Sequence, residues 1–273
     1  MEHLKILQSK GILKNADSYI LTNREKRELI DAFQNLSKIN KIDLNMKANF
    51  NPHTIGLISK NLTLKEMINL SLTNKKMRET MIPIIENKKR ELEELRIWLK
   101  GLPRPKNYTI EQLDQLNDLD LWNNKLTSFP NLNLPNLQEL ELGNNQLTSI
   151  PNLNLPNLQR LYLSNNHLKE FPAMSLNLPN LQTLYLGNNH LTEFPNLNLP
   201  NLQDLLLDNN QLTSFPNLNL PKLQILYLDN NRLTSFPNLN LPKLQYMTLK
   251  GNLLSEIEKE RLKSVYKYKI KLF

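Results

Sequence analysis

The stretch LQELELGNNQLTSIPNLNLPN, Leu137–Asn157, decides the fold, because the chain writes it seven times. Copies begin at Leu116, Leu137, Leu158, Leu181, Leu202, Leu223 and Leu244. The step is 21 residues except in the Leu158 copy, which is two residues longer around Ala173 and Met174. A fixed period in this range is the mark of a solenoid, whose units bury their apolar faces only against their neighbours. Within the unit, Leu140 and Leu142 alternate with Glu139, Glu141 and Gly143, the period-2 pattern of a short strand. Such strands stack in parallel about 4.8 Å apart. Asn145 recurs as Asn124, Asn166, Asn189, Asn210, Asn231 and Asn252. A polar side chain fixed between core leucines must find its hydrogen bonds inside the molecule. Backbone groups of its own and adjacent turns are the natural partners, which predicts an asparagine ladder. Leu147 and Ile150, the latter Phe in most copies, fill the core beyond it. Pro151 and Pro156 disfavour helix and predict an extended return path.

The pattern L-x-x-L-x-L-x-x-N-x-L resembles the leucine-rich repeat family, in its short class with an extended convex side. The resemblance covers residues 116–257. It implies an α/β-type leucine-rich repeat solenoid with one parallel β-strand per repeat, preceded here by an N-terminal all-α helical domain.

Outward from the array, the chain divides into a helical extension over 1–49, a helical segment over 50–100, a linker over 101–115 and a C-terminal cap over 258–273. Thr22 and Glu25 have capping-box spacing, and Leu29, Ile30, Phe33 and Leu36 follow at helical period, predicting a helix over 23–37 before a linker at 38–49. From Phe50 the pattern predicts three short helices in about 40 residues, with a second capping box at Thr63 and Glu66. Residues 79–100 read as helix broken near Pro83, with Leu92, Leu95, Trp98 and Leu99 as its apolar stripe. At the other end, Ser255 and Glu258 have capping-box spacing and 255–263 read as a short polar helix. The tail VYKYKIKLF alternates apolar residues with Lys and reads as a capping strand, the alternative being a free basic tail.

The segment LTLKEMINLSLTNKKM, Leu62–Met77, resembles an F-box, with Ile58 four residues before Leu62 as in that family. It departs from the pattern in that Pro52 lies one residue too close to Ile58, Met77 stands at the usual Trp position, and Phe50-Asn51 replaces the Leu before the Pro. The resemblance implies docking of a Skp1-like subunit of a ubiquitin ligase, with Pro52, Ile58, Leu62, Met67, Leu70 and Leu72 at the positions of the family's Skp1-contacting or core motif, the repeats then holding a target. The alternative is a helical cap on a scaffold with no ubiquitin role.

Composition removes other classes. Cysteine is absent, which excludes disulfides, thiolate metal sites and cysteine nucleophiles. That includes the catalytic Cys of bacterial leucine-rich effectors with ubiquitin-ligase activity. With no apolar run of membrane-spanning length and no signal-peptide core, a cytoplasmic, intracellular protein is expected. The formal net charge of +8 is uneven: residues 1–100 carry 19 Lys/Arg against 12 Asp/Glu, whereas 116–243 carry 6 against 9. An acidic repeat region argues against nucleic acid as partner, since phosphate binding concentrates Lys and Arg on the extended face. No P-loop, GxSxG, HExxH or EF-hand motif occurs, so neither an enzyme, a cofactor nor a metal is expected. His167 and His190 hold the same position in adjacent copies, which elsewhere is Gln146, Gln211 and Arg232, an unconstrained exposed site.

Specificity must lie where copies differ, at the outward strand positions. One column reads Asp120, Glu141, Tyr162, Tyr185, Leu206, Tyr227, Thr248; the column two residues before reads Asp118, Glu139, Arg160, Thr183, Asp204, Ile225, Tyr246; the column two after reads Trp122, Gly143, Ser164, Gly187, Asp208, Asp229, Lys250. Tyr162, Tyr185, Leu206 and Tyr227 form an apolar row on the concave face, the residue types that anchor protein interfaces. The alternative is that cross-strand tyrosine pairs only stabilise the sheet. The candidate site for a protein target is thus Trp122, Glu141, Arg160, Tyr162, Tyr185, Asp204, Leu206, Asp208, Tyr227, Asp229 and Tyr246. The aspartates among them favour a partner with a basic patch.

Overall fold

The computed structural model describes residues 62–71, 75–151, 153, 155–172 and 178–272. The helix expected over 23–37, the linker after it, and Pro52, Ile58 and Leu72 lie outside these residues. The chain forms two compact units, one of helices and one of repeats.

In the helical unit, α1 spans Leu64–Ser71, α2 spans Lys75–Lys100 and α3 spans Ile110–Asp114. The capping box that opens α1 forms as the sequence predicts: Glu66 N donates to Thr63 Oγ1 at 3.3 Å and Thr63 N to Glu66 Oε2 at 2.8 Å. α2 corrects the expected break, because it runs through Pro83 without interruption. Its buried face, Met81, Ile85, Lys88, Leu92, Leu95 and Leu99, is continuous across the proline. An internal proline costs about 3 kcal/mol. Burying Met81 and Ile85 returns about 1.5–3 kcal/mol each, so packing wins. The stretch read as a linker holds α3, opened by a complete capping box between Thr109 and Gln112.

Two buried charges tie these helices together. Lys88 Nζ donates to Leu62 O at 2.6 Å and lies 3.5 Å from Asp114 Oδ1. Asp114 Oδ2 accepts from Leu64 N at 2.7 Å, satisfying one of the orphan N–H groups that open α1. Burial pulls the Lys88 ammonium below its usual range, partly offset by Asp114, and pushes the Asp114 carboxyl up, partly offset by Lys88. Burial therefore opposes both charges, and the pair's contribution is to satisfy the start of α1.

In the repeat unit, β1 (Asp118–Asp120), β2 (Glu139–Glu141), β3 (Arg160–Tyr162), β4 (Thr183–Tyr185), β5 (Asp204–Leu206), β6 (Ile225–Tyr227) and β7 (Tyr246–Thr248) pair in parallel, each with the next. The asparagine ladder is present. Asn145 Oδ1 accepts from Asn124 N (2.9 Å) and Leu126 N (3.0 Å), while its Nδ2 donates to Leu121 O (3.0 Å) and Leu142 O (2.9 Å). Asn166, Asn189, Asn210, Asn231 and Asn252 each accept from one backbone N–H of the preceding turn and donate to a carbonyl there, so each joins its own turn to the preceding one. The asparagine before each ladder residue has a different task. Asn123, Asn144, Asn165, Asn188, Asn209 and Asn230 have φ of 53–58°, and Gly251 takes that place in the last copy at 67°. This left-handed region costs most L-residues about 1–2 kcal/mol and is tolerated by Asn and Gly.

Behind the ladder the phenylalanines stack. Phe171, Phe194, Phe215 and Phe236 lie 6.0, 6.0 and 5.2 Å apart between successive ring centres. The column ends edge-on against Tyr266 at 6.1 Å. Tyr266 belongs to α4 (Glu256–Tyr266), so the polar helix runs past residue 263. The reason is the tyrosine hydroxyl, which accepts from Leu239 N at 3.0 Å and lies 3.2 Å from Pro237 O, closing the exposed end of the return path. Ser255 caps α4 by accepting from Glu258 N, but Glu258 turns its own carboxylate to Phe236 N at 2.9 Å. The tail read as a strand over 265–273 is helix to Tyr266 and a 3-10 turn over Lys267–Lys269, and only β8 (Ile270–Lys271) is strand, adding to β7 as an eighth parallel strand.

Asn189→Ala should lower stability by about 1–3 kcal/mol in denaturant unfolding, because it leaves Leu168 N without its acceptor inside the array, while Leu163 O and Leu186 O keep the donors Asn166 Nδ2 and Asn210 Nδ2. Asn188→Gly should be nearly neutral and Asn188→Val clearly destabilising, since that site demands positive φ. Lys88→Met alone should cost about 3–5 kcal/mol in the helical unit, read by its thermal midpoint, because Asp114 remains buried without its cation.

Candidate functional site

The parallel register turns three sequence columns into a grid. Strand pairing sets Asp120, Glu141, Tyr162, Tyr185, Leu206, Tyr227 and Thr248 side by side, with Asp118 through Tyr246 as the flanking column. The third column lies beyond the strand ends but keeps the same register. Asn123 N donates to Gly143 O, Asn144 N to Ser164 O, Asn165 N to Gly187 O, Asn188 N to Asp208 O, Asn209 N to Asp229 O and Asn230 N to Lys250 O. Each strand buries its central residue in the core, which leaves the residues on either side for the open face. Thr183 and Thr248 are exceptions, since both are buried.

All eleven expected site residues fall on this grid, in distinct environments. Trp122 is the most exposed at 42%. The tyrosines are half-buried and do not form one continuous stack. Tyr162 and Tyr185 meet edge-on at 5.1 Å, Tyr227 turns instead to Tyr246 in the neighbouring column at 5.4 Å, and Leu206 lies between the two pairs. Burial raises the phenols of Tyr162 and Tyr185 above their usual range.

The carboxylates differ in what they already hold. Glu139 pairs with Arg160 across β2 and β3. Asp229 Oδ1 accepts from Lys250 N at 2.7 Å and from Thr248 Oγ1 at 2.5 Å. Glu141 Oε1 accepts from Gly143 N at 2.7 Å. Burial first, then neighbouring Asp120, Glu139 and Asp118, raises the Glu141 carboxyl above its ordinary range. Burial raises Asp204 and Asp208 too, with Asp229 adding to the effect at Asp208.

Sequence reasoning missed two contributors and the purpose of two glycines. Arg104 places its guanidinium 5.5 Å from the Trp122 ring centre, and Lys271 places its ammonium 5.0 Å from that of Tyr246. Both come from outside the repeats, so the period carries no signal for them. Gly143 and Gly187 appear in the third column, but their purpose emerges only in three dimensions. A β-carbon on Gly143 would stand 2.6 Å from Glu141 Oε1, and one on Gly187 would stand 2.7 Å from Asp208 Oδ1.

His167 and His190 stack on each other at 5.6 Å, both exposed. Among the described residues no group of three or more His, Asp or Glu side chains is placed to hold a metal ion. No described helix is long and apolar enough to cross a membrane. Leu62 and Met67, read from the F-box resemblance, are 2% and 1% exposed within the helical unit. The side chain of Leu70, in α1, lies outside the described residues.

A family model of leucine-rich repeats, in pairs of copies, matches residues 114–155, 156–199 and 200–241. Among solved structures, YopM from Yersinia enterocolitica WA-314 is 32% identical with a TM-score of 0.52, covering 62% of this chain and 38% of its own. A second YopM, described as a leucine-rich effector protein from Yersinia pestis, is 28% identical with a TM-score of 0.46, covering 61% of this chain and 54% of its own. A leucine-rich repeat protein of Leptospira interrogans is 24% identical with a TM-score of 0.24, covering 62% of this chain and 70% of its own. This chain thus spans little more than a third to about half the length of the two YopM proteins. The comparison with curated proteins found no match. Residues 114–241 are leucine-rich repeats, and they build a parallel-strand solenoid.

Proposed function

We propose that this protein is a non-catalytic interaction scaffold that binds a target protein on the strand face of its repeats. The observation that carries this reading is the apolar row Tyr162, Tyr185, Leu206 and Tyr227, half-buried on the open side of the sheet. The core of this array is built from leucine, and the ladder already ties each turn to the last. Two edge-on tyrosine pairs would add only about 0.5–1.5 kcal/mol each to the sheet. As anchors in an interface, the same side chains supply large rigid area at low conformational cost. The match to other leucine-rich repeat structures supports a scaffold role.

For the helical unit we favour a structural role over recruitment of a Skp1-type subunit. Leu62 and Met67 are core residues of that unit, and the carbonyl of Leu62 is bonded to the Lys88 ammonium. Offering either side chain to a partner requires this packing to open. A pull-down from a eukaryotic lysate with the full chain should therefore retain no Skp1-type protein. Retention that Met67→Asp abolishes, with the helical unit still folded, restores the adaptor reading.

The scaffold reading is tested by affinity capture with the full chain and with Tyr162→Ala, Tyr185→Ala and Tyr227→Ala combined. The triple variant should keep the wild-type circular dichroism spectrum and lose the captured partner, each tyrosine contributing about 1–2 kcal/mol. Unchanged capture by a folded triple variant contradicts the assignment.

A further inference from the structure

Three features of the strand face converge between β2 and β5. First, the third column holds small residues, Gly143, Ser164 and Gly187, beside the Tyr162–Tyr185 pair, and both glycines are buried under neighbouring side chains. Second, a carboxylate covers each of the two glycines. Glu141 folds back over Gly143, whose N–H it accepts, and Asp208 occupies the space that a side chain on Gly187 would fill. Gly143 and Gly187 are two strand steps apart, so the carboxylates stand about 10 Å from each other along the array. Third, both ends of the same face already show the matching chemistry within the chain, as Arg104 lies against Trp122 and Lys271 against Tyr246.

We propose that this part of the strand face, the Tyr162–Tyr185 pair flanked by the two carboxylates, binds a polypeptide segment of the target that carries two cationic side chains about 10 Å apart, flanking an apolar residue. The proposal rests on the reading of the strand face as the protein-binding surface and names the chemistry of its partner. One cation meets Glu141, the other meets Asp208, and the intervening apolar side chain packs on Tyr162 and Tyr185. Arginine suits both ends, because its planar guanidinium pairs with carboxylate and stacks on aromatic faces. A polyanion is disfavoured by the same carboxylates. Burial already holds Glu141 and Asp208 at raised pKa, so an incoming cation relieves a cost that the free protein carries.

The test uses the full chain and an array of short synthetic peptides in which two Lys or Arg residues are separated by increasing numbers of neutral residues. Binding is read at low and high ionic strength, with maltohexaose as a neutral non-protein probe. The expected result is selection of dibasic peptides with one preferred spacing, weakened by salt. Glu141→Gln combined with Asp208→Asn should raise Kd about tenfold while leaving the unfolding midpoint unchanged. Both replacements keep side-chain size, and the carboxamide oxygen introduced by Glu141→Gln can still accept from Gly143 N. Peptides bound through Tyr185 without regard to charge, and unaffected by the double variant, would overturn the cationic occupant and leave the protein-binding face standing. Tyr185-dependent uptake of maltohexaose alone, or no binding that depends on Tyr185, would overturn both.

Discussion

A buried carboxamide between one turn and the next is the interaction on which the repeat unit depends. The leucines around it are apolar and non-directional, so they favour burial without fixing how far each turn is rotated against its neighbour. Each ladder asparagine fixes that rotation, because its oxygen accepts from a backbone N–H of the preceding turn while its amide donates to carbonyls of both turns. Leaving those backbone groups unpaired in the core would cost about 1–3 kcal/mol each. The register that results is uniform from β1 to β7, and it persists past the strand ends into the third column. A regular ladder therefore makes the open face regular. Side chains 21 or 23 residues apart in sequence become neighbours at the spacing of a β-sheet.

That regularity separates scaffold from specificity. Positions held by the ladder, the leucine core and the phenylalanine stack are nearly identical between copies, and what they share cannot distinguish one partner from another. The outward positions carry the variation, and the structure sorts them further. Thr248 and Asp229 are spent on hydrogen bonds within the C-terminal turns, and Glu139 is paired with Arg160. Glu141 and Asp208 each hold one donor, Gly143 N and Asn209 Nδ2, and flank the Tyr162–Tyr185 pair, where a carboxylate still has capacity for an external cation.

The C-terminal end shows how a stack of repeats is brought to a close. A further repeat is replaced by one helix and a two-residue strand, and each closes a different layer. β8 pairs with β7, Tyr266 covers the last phenylalanine, and Glu258 receives the backbone N–H of Phe236. The helical unit follows another logic, in which one buried lysine–aspartate pair takes the place of a repeated ladder and satisfies the start of α1.

The sequence by itself determined the solenoid, its parallel register, the ladder and the columns of the open face, because a 21-residue period forces equivalent residues into equivalent environments. It also determined the capping strand and the capping boxes at Thr63 and Ser255 in outline. Non-periodic decisions were left to tertiary structure. Pro83 inside α2 is tolerated because packing on both sides outweighs one missing hydrogen bond, a balance that local propensity does not contain. Tyr266 ends a helix rather than starting a strand because its hydroxyl finds Leu239 N, 27 residues away. The pairing of Tyr227 with Tyr246 instead of Leu206, the placing of Arg104 on Trp122, and the leaning of Glu141 and Asp208 over two glycines were likewise decided only in three dimensions. Each depends on side-chain direction and on contacts between residues that share no period, and these arise only once the turns have stacked.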